Sequence, residues 1–479
     1  MTPRQSMSRS SNGRAPADGA PPPELRRALS TWDGALITIG SVVGTGIFIT
    51  SGDIAKALPH AGLLVFVWLA GGLLTLAGAL TYAELGALYP RAGGIYHFLK
   101  EAYGPLPGFL YGWASFLVIM TGGIAALAVG FAEYLGSFLP WAATSNVLLT
   151  LPLGRLTWTL SGGQLAAALA ILALTTVNVF GVREGAGVQN ALTVLKIGSI
   201  VAFAALGFLA PARAAEPLLG PLPPPATLWA GVGVAMIAAL WTYDGWYGLT
   251  FSAGEMRSPE RSLPLGLVWG TAAVVVMYVL LNLVYLRALP VAEIAQTPRI
   301  GEAAAAALFG PRGARLAAAA VVVSSFGCLA ATILYAPRIY LAMARDGLFF
   351  RSLAQIHPRW RTPALSLWAQ AAWAVLLTLT GTYSQLYTYV VFAATLFHVA
   401  TGAAVVVLRR RRPDLDRPYR VWGYPVVPAL FLLASLALVG STLFERPVEA
   451  LLGLGLVALG LPAYARWRRR GATADSGSS

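Results

Sequence analysis

The sequence predicts an all-α polytopic membrane protein of twelve transmembrane helices, arranged as two inverted five-helix repeats followed by two further helices. Three observations carry that expectation. Hydrophobic residues make up 57% of the 479 and charged residues only 11%, a balance that no soluble core of this size requires. Apolar runs long enough to cross a hydrocarbon layer of ~30 Å recur from Trp32 to Ala463. Lysine and arginine gather on alternate sides of those runs, as topology demands of a multi-pass chain.

Residues 1–31, rich in Ser, Pro, Gly and Arg and ending in the charged "PELRRALS", lack the continuous apolar stretch of a signal peptide and read as a disordered cytoplasmic tail. The first repeat, 32–210, holds spans near 32–57, 62–89, 106–138, 163–181 and 186–210. The second, 228–408, holds spans near 228–252, 264–288, 314–344, 363–381 and 384–408. Spans near 425–444 and 447–466 complete a C-terminal pair over 425–466, and 467–479 forms a second cytoplasmic tail. With the N-terminus inside, 25 of the 34 Lys and Arg lie near cytoplasmic ends, eight lie near outer ends, and Lys196 alone is mid-span. Both termini are therefore expected in the cytoplasm, in the cell (inner) membrane.

The net charge of +14 follows from this topology and does not require a nucleic-acid partner. The run Arg409 to Arg412 reads as a stop-transfer signal and lipid-headgroup anchor. Glu84 and Glu133 lie near span ends, where a solvated or structural role is the default. The only cysteine, Cys328, lies in an apolar stretch, so no intramolecular disulfide and no thiol cluster is expected. His60, His97, His357 and His398 are dispersed without metal-ligand spacing. No metal, cofactor or catalytic residue is therefore expected, and an embedded enzyme would need a convergent nucleophile and base.

The two repeats match in length, and five spans is an odd number, so the halves would face opposite ways across the membrane. Inverted repeats of this kind place a site near the midplane, where the first helix of each half is broken. The first span carries "GSVVGTGIF", 40–48, with Gly40, Gly44 and Gly46. Alone, this stretch also suits close helix packing, since Gly40 and Gly44 form a small-xxx-small pair. The sixth span carries "LWTYDGWYG", 240–248, at the matching place. That match favours a pair of broken helices, in which Gly44 and Gly46 allow the unwinding.

Where a helix unwinds in hydrocarbon, its freed N–H and C=O groups need partners, and a polar ligand can supply them. The half-helix after Gly44 would offer the N–H groups of Thr45, Gly46 and Ile47 and a positive dipole end to a carboxylate. The inner half ending near Val42, and the sixth-span half ending near Trp241, would offer carbonyls to an ammonium. Such a pair of cradles fits an α-amino acid zwitterion, with Thr45 adding a hydroxyl. Trp241, Tyr243 and Trp246 would supply flat walls that shut out water, beside Gly245. Asp244 either favours cationic side chains or caps the broken helix. Lys196 is expected to stand in for a bound cation, tying the first span to the eighth through carbonyls and the hydroxyls of Ser324 and Ser325; a buried lysine can also titrate.

These motifs together resemble the amino acid, polyamine and organocation (APC) superfamily, and within it bacterial relatives of the L-type amino acid transporter light subunits. The resemblance runs from Trp32 over nearly the whole chain. It is carried by "GSVVGTGIFI", by 81–113 from "TYAELGALYPRAGG" to "GFLYGW", and by "NALTVLKI" at 190–197. "LWTYDGWYGLTFSAGEMRSPERSLPLGLVWG" at 240–270, "SSFGCLAATILYAPRIYLAMARDGLF" at 324–349 and "RPYRVWGYPVVP" at 417–428 extend it. It implies the LeuT-like five-plus-five fold and sodium-independent amino acid transport, often by obligatory exchange of neutral and, given "YDGW", also cationic amino acids. It implies substrate roles for Val42, Gly44, Thr45, Gly46, Trp241, Tyr243, Asp244 and Gly245, and a sodium-replacing role for Lys196. Animal relatives bond a glycoprotein partner through an outer-loop cysteine. Residues 139–162 contain none, so no disulfide-linked heavy chain is expected and the protein should be a monomer or noncovalent dimer. A proton-coupled symporter on the same fold, or a membrane amino acid sensor without transport, are the alternatives to exchange.

Overall fold

The computed structural model describes residues 29–475 apart from 92, 154–155, 181–184, 215, 361 and 381. Ser30 opens the first helix with a capping box: its hydroxyl accepts from the Asp33 N–H, and Asp33 accepts from the Ser30 N–H at 2.8 Å. Helix α1 (Thr31–Val42) then stops, a 3-10 turn covers Gly46–Phe48, and α2 (Thr50–Ala57) resumes. After α3 (Ala61–Leu88), the short α4 (Ile95–Tyr103) leads into α5 (Pro105–Ala114), a π-turn (Ser115–Ile119) and α6 (Met120–Leu135). Helices α7 (Gly162–Val179) and α8 (Gly185–Leu209) follow.

The second interruption separates α9 (Pro225–Tyr243) from a 3-10 segment, Gly248–Glu255. Beyond it lie α10 (Pro259–Ala288), α11 (Val291–Gln296), α12 (Ile300–Tyr335), α13 (Pro337–Arg345), α14 (Ala364–Thr380) and α15 (Tyr383–Arg411). Helices α16 (Val426–Glu445), α17 (Pro447–Ala458) and α18 (Gly460–Asp475) end the chain. Among the described residues, nine helical stretches are long and apolar enough to cross a membrane, and Ala364–Thr380 is a shorter apolar helix. The protein is a multi-pass helical membrane protein. Helix α10 packs along both α1 and α3, so the interrupted first segment lies inside the bundle.

Four details depart from the sequence expectation. The stretch between α6 and α7 is an antiparallel hairpin, β1 (Val147–Leu153) and β2 (Leu156–Ser161), so the chain is not wholly helical. Its Leu, Val, Thr and Trp content suits a pleated pair. Helix α12 begins well before residue 314, at Ile300, and breaks at Gly310, whose φ is +74°. Helix α18 runs past 466 to Asp475, into the expected tail. Glu84 is buried and accepts from Arg409 at 2.9 and 2.6 Å and from the Val421 N–H at 2.7 Å. Arg409, its guanidinium also 3.8 Å from the Tyr424 ring centre, is thus a clamp on the 412–424 loop and not a lipid anchor.

Candidate functional site at the two helix breaks

The two interruptions touch. A Cβ on Gly46 would lie 2.8 Å from Thr242 Oγ1, and a Cβ on Gly245 would lie 2.7 Å from the Ser41 carbonyl oxygen. Gly245 also has φ +95°, in the left-handed region that favours glycine. Gly44 and Gly46 do not have positive φ. Their use is therefore close approach: a Cβ on Gly44 would meet Leu127 at 3.1 Å and Cys328 at 3.2 Å. This corrects the expectation that these two glycines serve by backbone freedom.

A narrow cavity lies between the breaks, lined by Ser41, Val42, Gly44, Gly46, Trp241, Thr242, Asp244 and Gly245. Helix α6 contributes Ile119, Met120, Gly123 and Leu127 with the π-turn, and α12 contributes Cys328, Thr332 and Tyr335. Among the described residues, no protein acceptor takes the N–H of Gly44, Thr45, Gly46 or Ile47. These donors begin the 3-10 turn, where unpaired N–H groups and the local dipole favour an anion. The Thr45 hydroxyl is buried but does not line this cavity: it faces Gly130 of α6, beside Tyr383.

The carbonyls ending α1 are already engaged. Lys196 Nζ donates to Gly40 and Val43 at 3.1 Å each, Cys328 Sγ to Ser41 at 3.2 Å, and the Tyr278 hydroxyl to Val42 at 3.1 Å. The expectation that this end offers free carbonyls to an ammonium is corrected accordingly. At the other break, the Trp241 carbonyl takes the Asp244 N–H at 3.0 Å, while those of Thr242 and Tyr243 have no assigned donor among the described residues. Asp244 borders both this cavity and a second one, lined with Thr75, Trp246, Thr395, His398 and Ser435.

Other expected site residues go elsewhere. Tyr243 turns away from the cavity, donating to the Trp68 carbonyl at 3.0 Å with its ring against Trp68 and Tyr278. It is the last residue of α9, so the helix face and not the break sets its direction. Trp246 packs among Tyr82, Tyr247, His398 and Phe431. Ile47 is fully buried core. Ser325 donates back to Val321 and Val322 in its own helix, and Ser324 has no partner among the described residues. Neither serine joins Lys196. Gly327 approaches it instead, at 3.8 Å from Nζ to an added Cβ.

Aromatic and ionic contacts flank the cavity on two sides. Toward the hairpin, Trp241 Nε1 donates to the Tyr383 hydroxyl at 2.8 Å and the Trp241 ring stacks on Tyr387. Beyond Tyr383 opens a broad vestibule bordered by Asp53, Lys56, Glu133, Trp158 and Gln385. Glu133 accepts there from Thr144. On the opposite side Tyr335 stacks on Phe251, and Arg338 Nε and Nη2 donate to Glu255 at 3.0 and 2.7 Å. Leu29 pairs with Met256 beside that ion pair. Sequence reasoning missed Tyr278, Tyr383, Met120 and Gly123, because single tyrosines and small residues in apolar helices carry no pattern. Cys328 it noticed, but only as an isolated thiol.

A family model described as amino acid permease matches residues 29–451. The serine/threonine exchanger SteT of Bacillus subtilis is 30% identical over 471 residues, covering 94% of this chain and 98% of that protein. The b(0,+)-type amino acid transporter 1 of Mus musculus is 31% identical over 430 residues, covering 88% and 84%. The large neutral amino acids transporter small subunit 2 of Oryctolagus cuniculus is 29% identical over 455 residues, covering 92% and 80%.

Proposed function

The chain belongs to the amino acid permease family, and on that footing we propose that it exchanges amino acids across the cell membrane by alternating access. It is a transporter and not an enzyme, as are the permeases it matches. The observation that carries the reading is the pair of touching helix breaks around one narrow cavity, with unpaired N–H groups on one break and an acidic residue on the other. In this reading the substrate carboxylate sits on the N–H groups of Gly44 to Ile47 with the Thr45 hydroxyl beside it. The ammonium sits by the Thr242 and Tyr243 carbonyls and Asp244. Trp241 roofs the site, and Asp244 also admits a cationic side chain.

Twelve crossings result if the two interrupted segments and Ala364–Thr380 join the nine long apolar stretches. We assign them to inverted repeats over 32–210 and 228–408, a C-terminal pair over 425–466, and cytoplasmic termini. Lys196 supports a metal-free link between α1 and α8 within the first repeat, because its ammonium fills the place at the α1 carbonyls that a metal ion would otherwise take. Exchange, in preference to proton-driven uptake, draws on the exchanger activity that the SteT relative is named for. Relatives of the small-subunit type carry partners in their name. Here the single cysteine is buried against Ser41, so any partner or second copy is held without a disulfide.

Purified protein in liposomes tests the reading. Uptake of a labelled amino acid should depend on unlabelled amino acid inside. Uptake into empty vesicles driven by an imposed pH gradient would replace exchange by symport, and saturable binding without flux would make the protein a sensor.

A further inference from the structure

The cavity wall facing the two breaks is made by Ile119, Met120, Gly123 and Leu127, and their direction is set by the π-turn at the start of this stretch. An α-helix closes each turn with a bond from residue i to i−4. A π-turn admits one extra residue, which rotates the helix on its N-terminal side by about 100° relative to the helix on its C-terminal side. Here the Met120 N–H reaches back to the Ser115 carbonyl. Side chains hold the carbonyls of the turn: Trp373 Nε1 donates to Leu117 at 2.8 Å, the Thr121 hydroxyl to Phe116 at 2.8 Å, and the Tyr340 hydroxyl adds a second bond to Ser115 at 3.4 Å. Two of the three donors come from other helices, α14 and α13.

The neighbouring glycines show what this register decides. A Cβ on Gly122 would come 2.8 Å from Val390 of α15, whereas one on Gly123 would meet nothing within 4 Å. Gly122 therefore packs and Gly123 opens the cavity. Loss of the extra residue in the turn would rotate Gly123 off the cavity and bring its neighbours in.

We infer that Trp373, which does not line the cavity, is a positioning residue for the substrate side chain: by holding the π-turn through the Leu117 carbonyl it fixes which residues of α6 face the space beside the breaks. Tyr340 assists through the Ser115 carbonyl, at a longer distance and with a smaller effect. The inference rests on the reading that this cavity holds an amino acid.

The test uses the full chain in liposomes, with alanine and phenylalanine competing against labelled exchange. Trp373→Phe keeps an aromatic ring and removes the donor. It should change the ratio of the two half-saturation constants about fivefold, the scale of one hydrogen bond, while maximal exchange for the preferred substrate stays within about twofold. Tyr340→Phe should move the same ratio in the same direction by less, and it decides the matter if Trp373→Phe does not fold. An unchanged ratio, or an equal loss for both competitors, overturns the inference while leaving exchange intact. A wild-type protein that binds neither alanine, phenylalanine nor any other amino acid overturns the underlying reading and this inference with it.

Discussion

Lys196 Nζ donates to the Val43 carbonyl at 3.1 Å, and to Gly40 at the same distance, so a single ammonium closes the broken end of α1 from a different helix. A lysine buried in this way gains from the negative end of a helix dipole as well as from two charge-assisted bonds. The link joins α8 to Gly40 and Val43, which flank the cavity-lining Ser41, Val42 and Gly44. Lys196→Met keeps the length and removes the donors, leaving two carbonyls short of a partner. Stability should fall by about 1–3 kcal/mol, read as a lower melting temperature, and exchange should slow about tenfold. Wild-type rates would make the lysine a packing element only.

Gly245 sits against Ser41 with φ +95°, and no side chain fits there without displacing the other break. Gly245→Ala adds both backbone strain of about 1–3 kcal/mol and a contact at 2.7 Å to the Ser41 oxygen. Substrate binding should be lost before folding is, which calorimetric titration beside a thermal melt will separate.

The Thr45 hydroxyl is fully buried between Gly130 and Tyr383, next to the N–H groups that begin the 3-10 turn. A carboxylate at the adjacent N–H groups would supply the acceptor. Thr45→Val, close in shape, should weaken substrate affinity about tenfold, the scale of a bond to a charged group. Unchanged dissociation constants would remove the hydroxyl from the site.

Asp244 borders two cavities at once. If it receives a cationic side chain, Asp244→Asn should shift the lysine-to-leucine preference toward leucine by about tenfold or more. An unaltered preference in a competition panel would leave the residue as a cap on α9.

Trp241 meets Tyr383 across the hairpin-side exit of the cavity. Trp241→Phe preserves an aromatic face for Tyr387 and deletes the 2.8 Å bond. The half-saturation constant should rise about three- to tenfold, with a faster loss of preloaded label from vesicles. Identical retention would place the barrier elsewhere.

The sequence made the two breaks visible because aspartate and clustered tryptophan are costly or unusual in the middle of an apolar helix, and because the glycines of the first span, common in such helices on their own, recur at the matching place in the sixth. What it could not show was direction. Tyr243 and Asp244 are neighbours in sequence, yet one turns to Trp68 and the other to the cavities, since α9 ends between them. Ser325 is absorbed by its own helix, a choice that any intramembrane serine has. The π-turn escaped notice because its donors, Trp373 and Tyr340, lie more than 200 residues along the chain. Arg409 looked like a lipid anchor because its partner Glu84 belongs to a distant helix.

If one cavity recognises both ends of an amino acid, the carboxylate at Gly44 to Ile47 and the ammonium at the α9 break, then blocking either end must cost affinity. Competition against labelled exchange by leucine, leucine methyl ester and N-acetyl-leucine measures that cost. Leucine should compete, and each blocked form should be weaker by about a hundredfold or more, the scale of losing a charge-assisted contact in a dry site. Equal competition by either blocked form would contradict recognition of both ends in one cavity.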